Sequence, residues 1–339
     1  MEEKIKNHPV ISLILERARS GSKPLRRDDE FKLGLAIEGG AMRGVISAGM
    51  ATALESLGLL PVFDAVYGTS AGAFNGAFFL ARQAAYGTTI YYENLIGKGF
   101  INLRRLFLGR PIARLEYIFD PVITREKVLD WQAVIHSPIP LNIVASSVNE
   151  LQARILNRYQ TRDDLFAALH ASSQMLLVAG KPVEIGGDRF LDGGVFEGIP
   201  INSALQDRCT HVLLLLTRPK GNLKEEAGFF DRVIFAGKLD RLRKGLGACY
   251  LDMPRRYREA VSFIREGEKK VQAPPYMLAL TLHEDYRPIG RMEKNPERLR
   301  QAARDGMGVV FKALAGDCPR IIDVLLPFTQ DGHPYQIRE

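Results

Sequence analysis

Apolar runs and glycine breaks recur along this chain in a fixed order. "FKLGLAI" (31–37) reads as a buried strand, stops at "EGGAMRG", and is followed by a helical pattern over 45–57. A second apolar run, 62–67, enters "GTSAG", after which small residues continue as a helix from Ala71. Strand, glycine loop, helix, twice in succession, predicts an α/β chain built on a parallel sheet with crossover helices. Further strands are expected at 141–147, 150–156, 211–217 and 276–282, the run "HVLLLLT" being the most apolar of them. "KPVEIGGDRFLDGG" reads as two short strands joined by a Gly-Gly-Asp turn.

Helix signals fill the gaps. Residues 9–20 form a short helix ended by the breakers "SGSKP". Thr161 and Asp164 make a capping box ahead of "LFAALHASS", and Asn295 with Pro296 opens a helix over "ERLRQAARDGMGVVFKAL". Thr124 is the expected cap of a helix through "REKVLDWQAVI". The pattern loosens between about 88 and 138, and charged helices dominate after Pro219. The expected organisation is an N-terminal helical segment (1–30), a catalytic domain (31–218) with a helical insertion, and a mostly helical C-terminal extension (219–339). "KLDRLRKGL" and "PRRYREAV" read as solvated helix faces.

Composition changes this picture little. Hydrophobic residues make up 46% and charged residues 25%, ordinary for a globular core. The net charge of +7 favours anionic surfaces without choosing between phospholipid and nucleic acid, and no nucleic-acid motif is visible. Cys209, Cys249 and Cys318 are far apart and form no CxxC pair, so they are expected to be buried, inert thiols. No HExxH helix occurs, and neither a metal nor an organic cofactor is expected. The six apolar residues 10–15 are too few for a signal or spanning segment, and a cytoplasmic location is the expectation.

The chemistry centres on Ser70 in Gly68-Thr69-Ser70-Ala71-Gly72. G-x-S-x-G at a strand–helix junction sets a nucleophile on a tight turn, with the helix N-terminus behind it where an oxyanion would develop. Three fixed positions recur by chance in roughly one chain in ten of this length, so a capping serine in a packing turn is the plain alternative. Gly39 and Gly40 begin a second loop whose free N–H groups suit an anion, though its spacing matches neither a Walker loop nor G-x-G-x-x-G. Asp192, followed by Gly193 and Gly194, is either a turn or a base delivered to Ser70 from another corner of the sheet.

Together, "GGAMRG", "GTSAG" and "DGG", with "HASSQMLLVAGKPVEI" before the aspartate, resemble the patatin-like phospholipases over about residues 31–218. The segment "IGRMEKNPERLRQAARDGM" is similar to the C-terminal extension of a bacterial subgroup. The resemblance implies a three-layer fold with a mainly parallel central sheet and helices on both faces. It also implies hydrolysis of lipid carboxylic esters, of phospholipase A or lysophospholipase type, by a Ser70–Asp192 dyad without a catalytic histidine. Gly39, Gly40 and Ala41 would form the oxyanion loop, and Arg43, Gly44, Gly68, Gly72, Gly193 and Gly194 would support the motifs. The family commonly has glycine where this chain has Ala41, at which a positive φ would be costly.

An aspartate base starts about 3.5 kcal/mol behind histidine in proton affinity, so the dyad needs a water-poor, lipid-accepting cleft. Two other readings stay open. The order Ser70, Asp192, His283 matches an α/β-hydrolase triad, with His283 directly after an expected strand. A lipid- or protein-binding module that has lost turnover would keep the same fold. "GKGFINLRRLFLGRPIARLEYIF" mixes Lys98, Arg104, Arg105, Arg110 and Arg114 with apolar residues, which suits either contact with an anionic membrane surface or packing on the domain.

Overall fold

A computed structural model describes residues 7–97, 117–175, 181–222 and 236–315. In chain order the elements are α1 (Pro9–Ser20), β1 (Leu33–Ile37), α2 (Val45–Ser56), β2 (Ala65–Thr69), α3 (Ala71–Leu80), α4 (Ala84–Glu93), α5 (Trp131–Ile135) and β3 (Leu141–Ser147). There follow β4 (Gln152–Leu156), α6 (Arg162–Ser173), β5 (Val183–Ile185), β6 (Asp188–Asp192), α7 (Ile201–Gln206) and β7 (His211–Leu215). The last are α8 (Ala236–Leu242), α9 (Leu246–Leu251), α10 (Met253–Gly267), β8 (Tyr276–Leu280) and α11 (Pro296–Leu314).

The strands form one sheet in the order β5-β6-β3-β2-β1-β7-β8, with β4 also paired to β3. Pairings β3–β2–β1–β7–β8 are parallel, while β4 and β6 run antiparallel to β3 and β5 antiparallel to β6. Every residue of β1, β2, β3 and β7 is buried, as expected of parallel strands covered on both faces. Alternation sorts the two faces. Leu33, Leu35 and Ile37 of β1 join a core with α1, α2, α3, α4 and α11. Ala36, Tyr67, Val212 and Leu214 face the opposite way, onto Ile201 of α7 and Tyr257, Val261 and Ile264 of α10. That is a three-layer α/β fold.

The C-terminal part is woven into it. β8 extends the sheet beside β7. α11 crosses α2 with backbones nearly touching: a Cβ on Gly49 would lie 2.0 Å from the Ala303 carbonyl oxygen, and one on Gly306 would lie 2.4 Å from that of Ile46. The N-terminal segment is tied in by Arg17, 1% exposed, whose guanidinium donates to Asp29, Asp64 and the carbonyls of Val62 and Phe31.

Several expectations shift. Leu60–Val62 is a 3₁₀ turn, so β2 begins at Ala65. Thr124 caps no α-helix: it lies in an irregular π-type segment, Ile118–Glu126, broken at Asp120, and its hydroxyl bonds the Asp120 carboxylate. The helix after it starts at Trp131, capped by Asp130. The hairpin turn is Gly186-Gly187, both at positive φ, with Asp188 already in the strand. Cys209 is buried but Cys249 only partly so. The basic segment 98–114 and Cys318 lie outside the described residues.

Candidate active site

Strand register brings the site together. β3 pairs with β2 as far as Thr69 opposite Val144, and with β6 from Ala145 opposite Asp192. The residue that leaves β2 and the last residue of β6 therefore meet beside two consecutive positions of β3. Ser70 is the first and Asp192 the second. Ser70 Oγ donates a 2.7 Å hydrogen bond to Asp192 Oδ2, and Asp192 Oδ1 accepts from the Gly194 N–H at 2.8 Å. Asp192 is 8% exposed.

Ser70 sits at φ 56°, ψ −127°, outside the ordinary regions for a side-chain-bearing residue, so the turn stores strain at the hydroxyl it presents. Its N–H is held by Ser172 Oγ at 2.8 Å, and that hydroxyl donates in turn to the Val144 carbonyl at 2.6 Å. Ser172 lies in the last turn of α6, within the Ala-Ser stretch of the sequence, and no motif marks it as a partner.

The loop after β1 packs against this elbow. A Cβ on Gly39 would fall 2.2 Å from the Thr69 carbonyl oxygen, so only glycine fits there. Gly40 and Ala41 both have positive φ, 138° and 54°, and Ala41 bears the strain anticipated for it. The Met42 N–H bonds the Arg291 carbonyl and the Arg43 N–H returns to Gly40, whereas those of Gly39 and Gly40 make no hydrogen bond among the described residues. Gly68 and Gly72 flank Ser70 on β2 and α3, and Gly44 ends the 3₁₀ turn Ala41–Gly44.

Arg43 is buried against the loop, with Nε 3.2 Å from Thr217 Oγ1. Desolvation lowers its pKa to about 10, countered by the nearby Glu38 carboxylate. Glu38 accepts the Thr217 N–H at 2.7 Å. Burial raises the pKa of Glu197, whose carboxylate accepts from the N–H and hydroxyl of Ser203.

Two cavities open at Ser70. One is apolar, lined by Phe74, Phe78, Ile90, Leu95, Ile118 and Ile123 among others. The other, of about 330 Å³, is the more polar of the two, and Arg43, Arg218, Arg256 and Arg291 all line it. Arg256 and Tyr257 come from "PRRYREAV", so the solvated-face reading of that stretch is corrected: one side of α10 closes the cleft. Periodicity cannot distinguish a cleft from bulk water. His283 lines neither cavity; its side chain is 71% exposed and sits 3.1 Å from Asp285 Oδ2. The serine's bond goes to Asp192 directly, and His283, the histidine of the triad alternative, stands apart from both. No cluster of metal-ligating side chains occurs among the described residues.

Residues 35–205, half of the chain, match the model of the family described as Patatin-like phospholipase. The chain belongs to that family. A relative, the uncharacterized protein YjjU of Escherichia coli K12, is 23% identical over 197 residues, covering 58% of this chain and 54% of its own length. The chain thus spans about half the length of that relative. Among solved structures, VipD from Legionella pneumophila aligns over 85% of this chain and 67% of its own at 11% identity, with a TM-score of 0.40. A human GIVD cytosolic phospholipase A2, in complex with methyl gamma-linolenyl fluorophosphonate, aligns over 64% of this chain and 44% of its own at 15% identity, with a TM-score of 0.33. Likenesses that shallow carry no functional weight; the family match and the site geometry do.

Proposed function

We propose that this protein is a serine acyl hydrolase that cleaves carboxylic esters of lipids through Ser70 and Asp192. The observation that carries the reading is the direct Ser70–Asp192 hydrogen bond at the meeting point of an apolar and a polar cavity, in a member of a phospholipase family. The acyl chain enters the apolar cavity and the alcohol part of the ester faces the polar one. As Ser70 Oγ attacks the carbonyl carbon, its proton passes to Asp192 Oδ2. The carbonyl oxygen becomes an oxyanion that takes the N–H groups of the loop at Gly39, Gly40 and Ala41. Asp192 then returns the proton to the departing alcohol, leaving an acyl-serine. A water, deprotonated by Asp192, attacks that ester; collapse releases the fatty acid and restores the serine. A phospholipase A or lysophospholipase preference belongs to this proposal, as does contact of the basic segment 98–114 with an anionic surface. No helix among the described residues is long and apolar enough to cross a membrane.

The test uses the full chain, a short-chain ester and a fluorophosphonate probe. Ser70→Ala should lose both turnover and labelling while keeping its far-UV spectrum. Asp192→Asn should fall by three orders of magnitude or more, since an amide cannot take the serine proton. His283→Ala should behave as the wild type. Normal turnover in a folded Ser70→Ala protein, or collapse in His283→Ala, would overturn the dyad.

A further inference from the structure

The polar cavity holds more positive charge than the proposed chemistry uses. Of its four arginines, Arg43 braces the oxyanion loop: a Cβ on Gly40 would lie 2.9 Å from Arg43 Nη2. The acids lining the cavity are also engaged. Glu38 holds the Thr217 N–H, Glu197 holds Ser203, and Glu259 is paired with Arg255 at 2.6 Å. Asp192 is bonded to Ser70.

Arg218, Arg256 and Arg291 remain, and none lies within the family match at 35–205. Arg218 has no carboxylate partner among the described residues; Nη1 donates to the Asn222 side chain at 3.0 Å and Nε has no hydrogen-bond partner there. Arg291 is exposed, and its side chain has no ion pair among the described residues. Arg256 pairs with Asp252 through Nη1 and donates from Nη2 to the Val195 and Cys249 carbonyls, so that only its Nε lacks a hydrogen-bond partner among the described residues. Arg218 and Arg291 are near enough to Arg43 for both to disfavour its charge. Glu38 offsets part of this repulsion at Arg43, and an anion bound among the other arginines would relieve the rest. Two of the three aromatic rings that line the cavity already carry an arginine, while the third, Phe263, is exposed and carries none among the described residues. Arg218 lies over the Tyr257 ring at 5.3 Å and Arg256 over Phe196 at 5.4 Å, which leaves neither ring free to receive a quaternary ammonium.

We propose that Arg218, Arg256 and Arg291 form an anion subsite for a phosphate group on the alcohol side of the scissile ester, so that esters with a net anionic headgroup are preferred over choline-type zwitterions. This rests on the hydrolase reading and names the substrate class of the same site. Guanidinium groups suit phosphate oxygens in paired hydrogen bonds, and a terminal phosphate keeps its charge uncompensated by an ammonium of its own.

The test compares dibutyryl glycerophosphate with dibutyryl glycerophosphocholine, both monomeric, so that attraction to a charged surface plays no part. The wild type should show at least tenfold higher kcat/KM on the anionic ester. Arg218→Gln/Arg291→Gln should shrink that ratio to threefold or less, and Arg291→Gln alone, on an exposed side chain, should shrink it partway if the double variant fails to fold. Equal rates on the two esters in the wild type, or an undiminished ratio in the folded variants, would overturn the proposal. Inorganic phosphate separates the two sources of the anion. Preference for the anionic ester supports a headgroup site whether or not free phosphate inhibits; inhibition by phosphate without that preference refutes it. Should the wild type cleave no ester, the hydrolase reading fails by itself. Calorimetry of dibutyryl glycerophosphate on Ser70→Ala and on Ser70→Ala/Arg218→Gln/Arg291→Gln then decides the subsite: tighter binding to the former supports it, and equal or no binding overturns it.

Discussion

Replacing Ser172 with alanine isolates the support beneath the nucleophile without touching the nucleophile. Ser172 Oγ is fully buried and sits between the Ser70 N–H, at 2.8 Å, and the Val144 carbonyl, at 2.6 Å. Alanine removes both bonds and admits nothing in their place. A buried N–H left without an acceptor costs about 1–3 kcal/mol. The turn it belongs to is already strained at φ 56°, a conformation that itself costs about 1–3 kcal/mol and persists only while its surroundings hold it. Ser172→Ala should therefore lower unfolding free energy by about 2 kcal/mol, read as a fall in the urea midpoint at unchanged slope. If part of the strain is released by movement of Ser70, turnover of a short-chain ester should drop by about 10- to 100-fold with little change in KM, since small displacements of a reacting atom are costly. Ser173→Ala is the matched control for stability: that hydroxyl has no hydrogen-bond partner among the described residues, so its loss should leave the midpoint within experimental scatter. A Ser172→Ala protein with wild-type midpoint and wild-type turnover would show that the elbow does not depend on this bond.

Gly39→Ala should cut kcat by about 100- to 1,000-fold, because the new methyl meets the Thr69 carbonyl at 2.2 Å and must displace the loop that offers the oxyanion its donors; steady-state kinetics with normal turnover would refute this. The second expectation concerns pH. Burial raises Glu55 to about 7 in the fold, from 4.5. The folded protein thus binds this proton more tightly than the unfolded chain, so the stability it contributes is complete below about pH 4.5 and is lost as pH rises through about 7. Glu55 is partly exposed, so about 2 kcal/mol is expected rather than the full value for the shift. Glu55→Gln should remove that slope between pH 5 and pH 8, and parallel denaturation curves for both proteins across this range would contradict it.

Local signals specify much of the fold. Thr161 with Asp164 and Asn295 with Pro296 cap their helices as their residue types dictate, and β3 runs over 141–147 as its apolar pattern requires. Sequence pattern and structure part where one residue has two local uses. Thr124 has the right chemistry for a cap, but Pro121 and the break at Asp120 leave it in an irregular turn, and Asp130 takes that role. The nucleophile elbow was legible because glycines and serine are needed at fixed spacing. Its distant partners were not equally so: Asp192 carried a motif, whereas Ser172 was one serine among several, and only register across β3 shows that it lies beneath Ser70. Arg256 and Tyr257 looked like an ordinary amphipathic helix, and nothing in their spacing tells that α10 turns them into the cleft.

The interleaving of late elements with early ones has a consequence for how the chain comes into being. β1 is flanked by β2, made soon after it, and by β7, made some 180 residues later, while α2 waits for α11 to cover the glycine side of its surface. A ribosome that has just delivered Asp192 has written every proposed reacting group, yet the sheet still lacks one neighbour of β1 and one helical wall. The polypeptide emerging at that moment should hold an unfinished site, unable to carry out the proposed reaction until Phe311 has cleared the exit tunnel. Arresting translation of successive C-terminal truncations, each fused to a linker long enough to span the tunnel, and probing them with a fluorophosphonate should reveal labelling that switches on abruptly once the truncation includes Phe311.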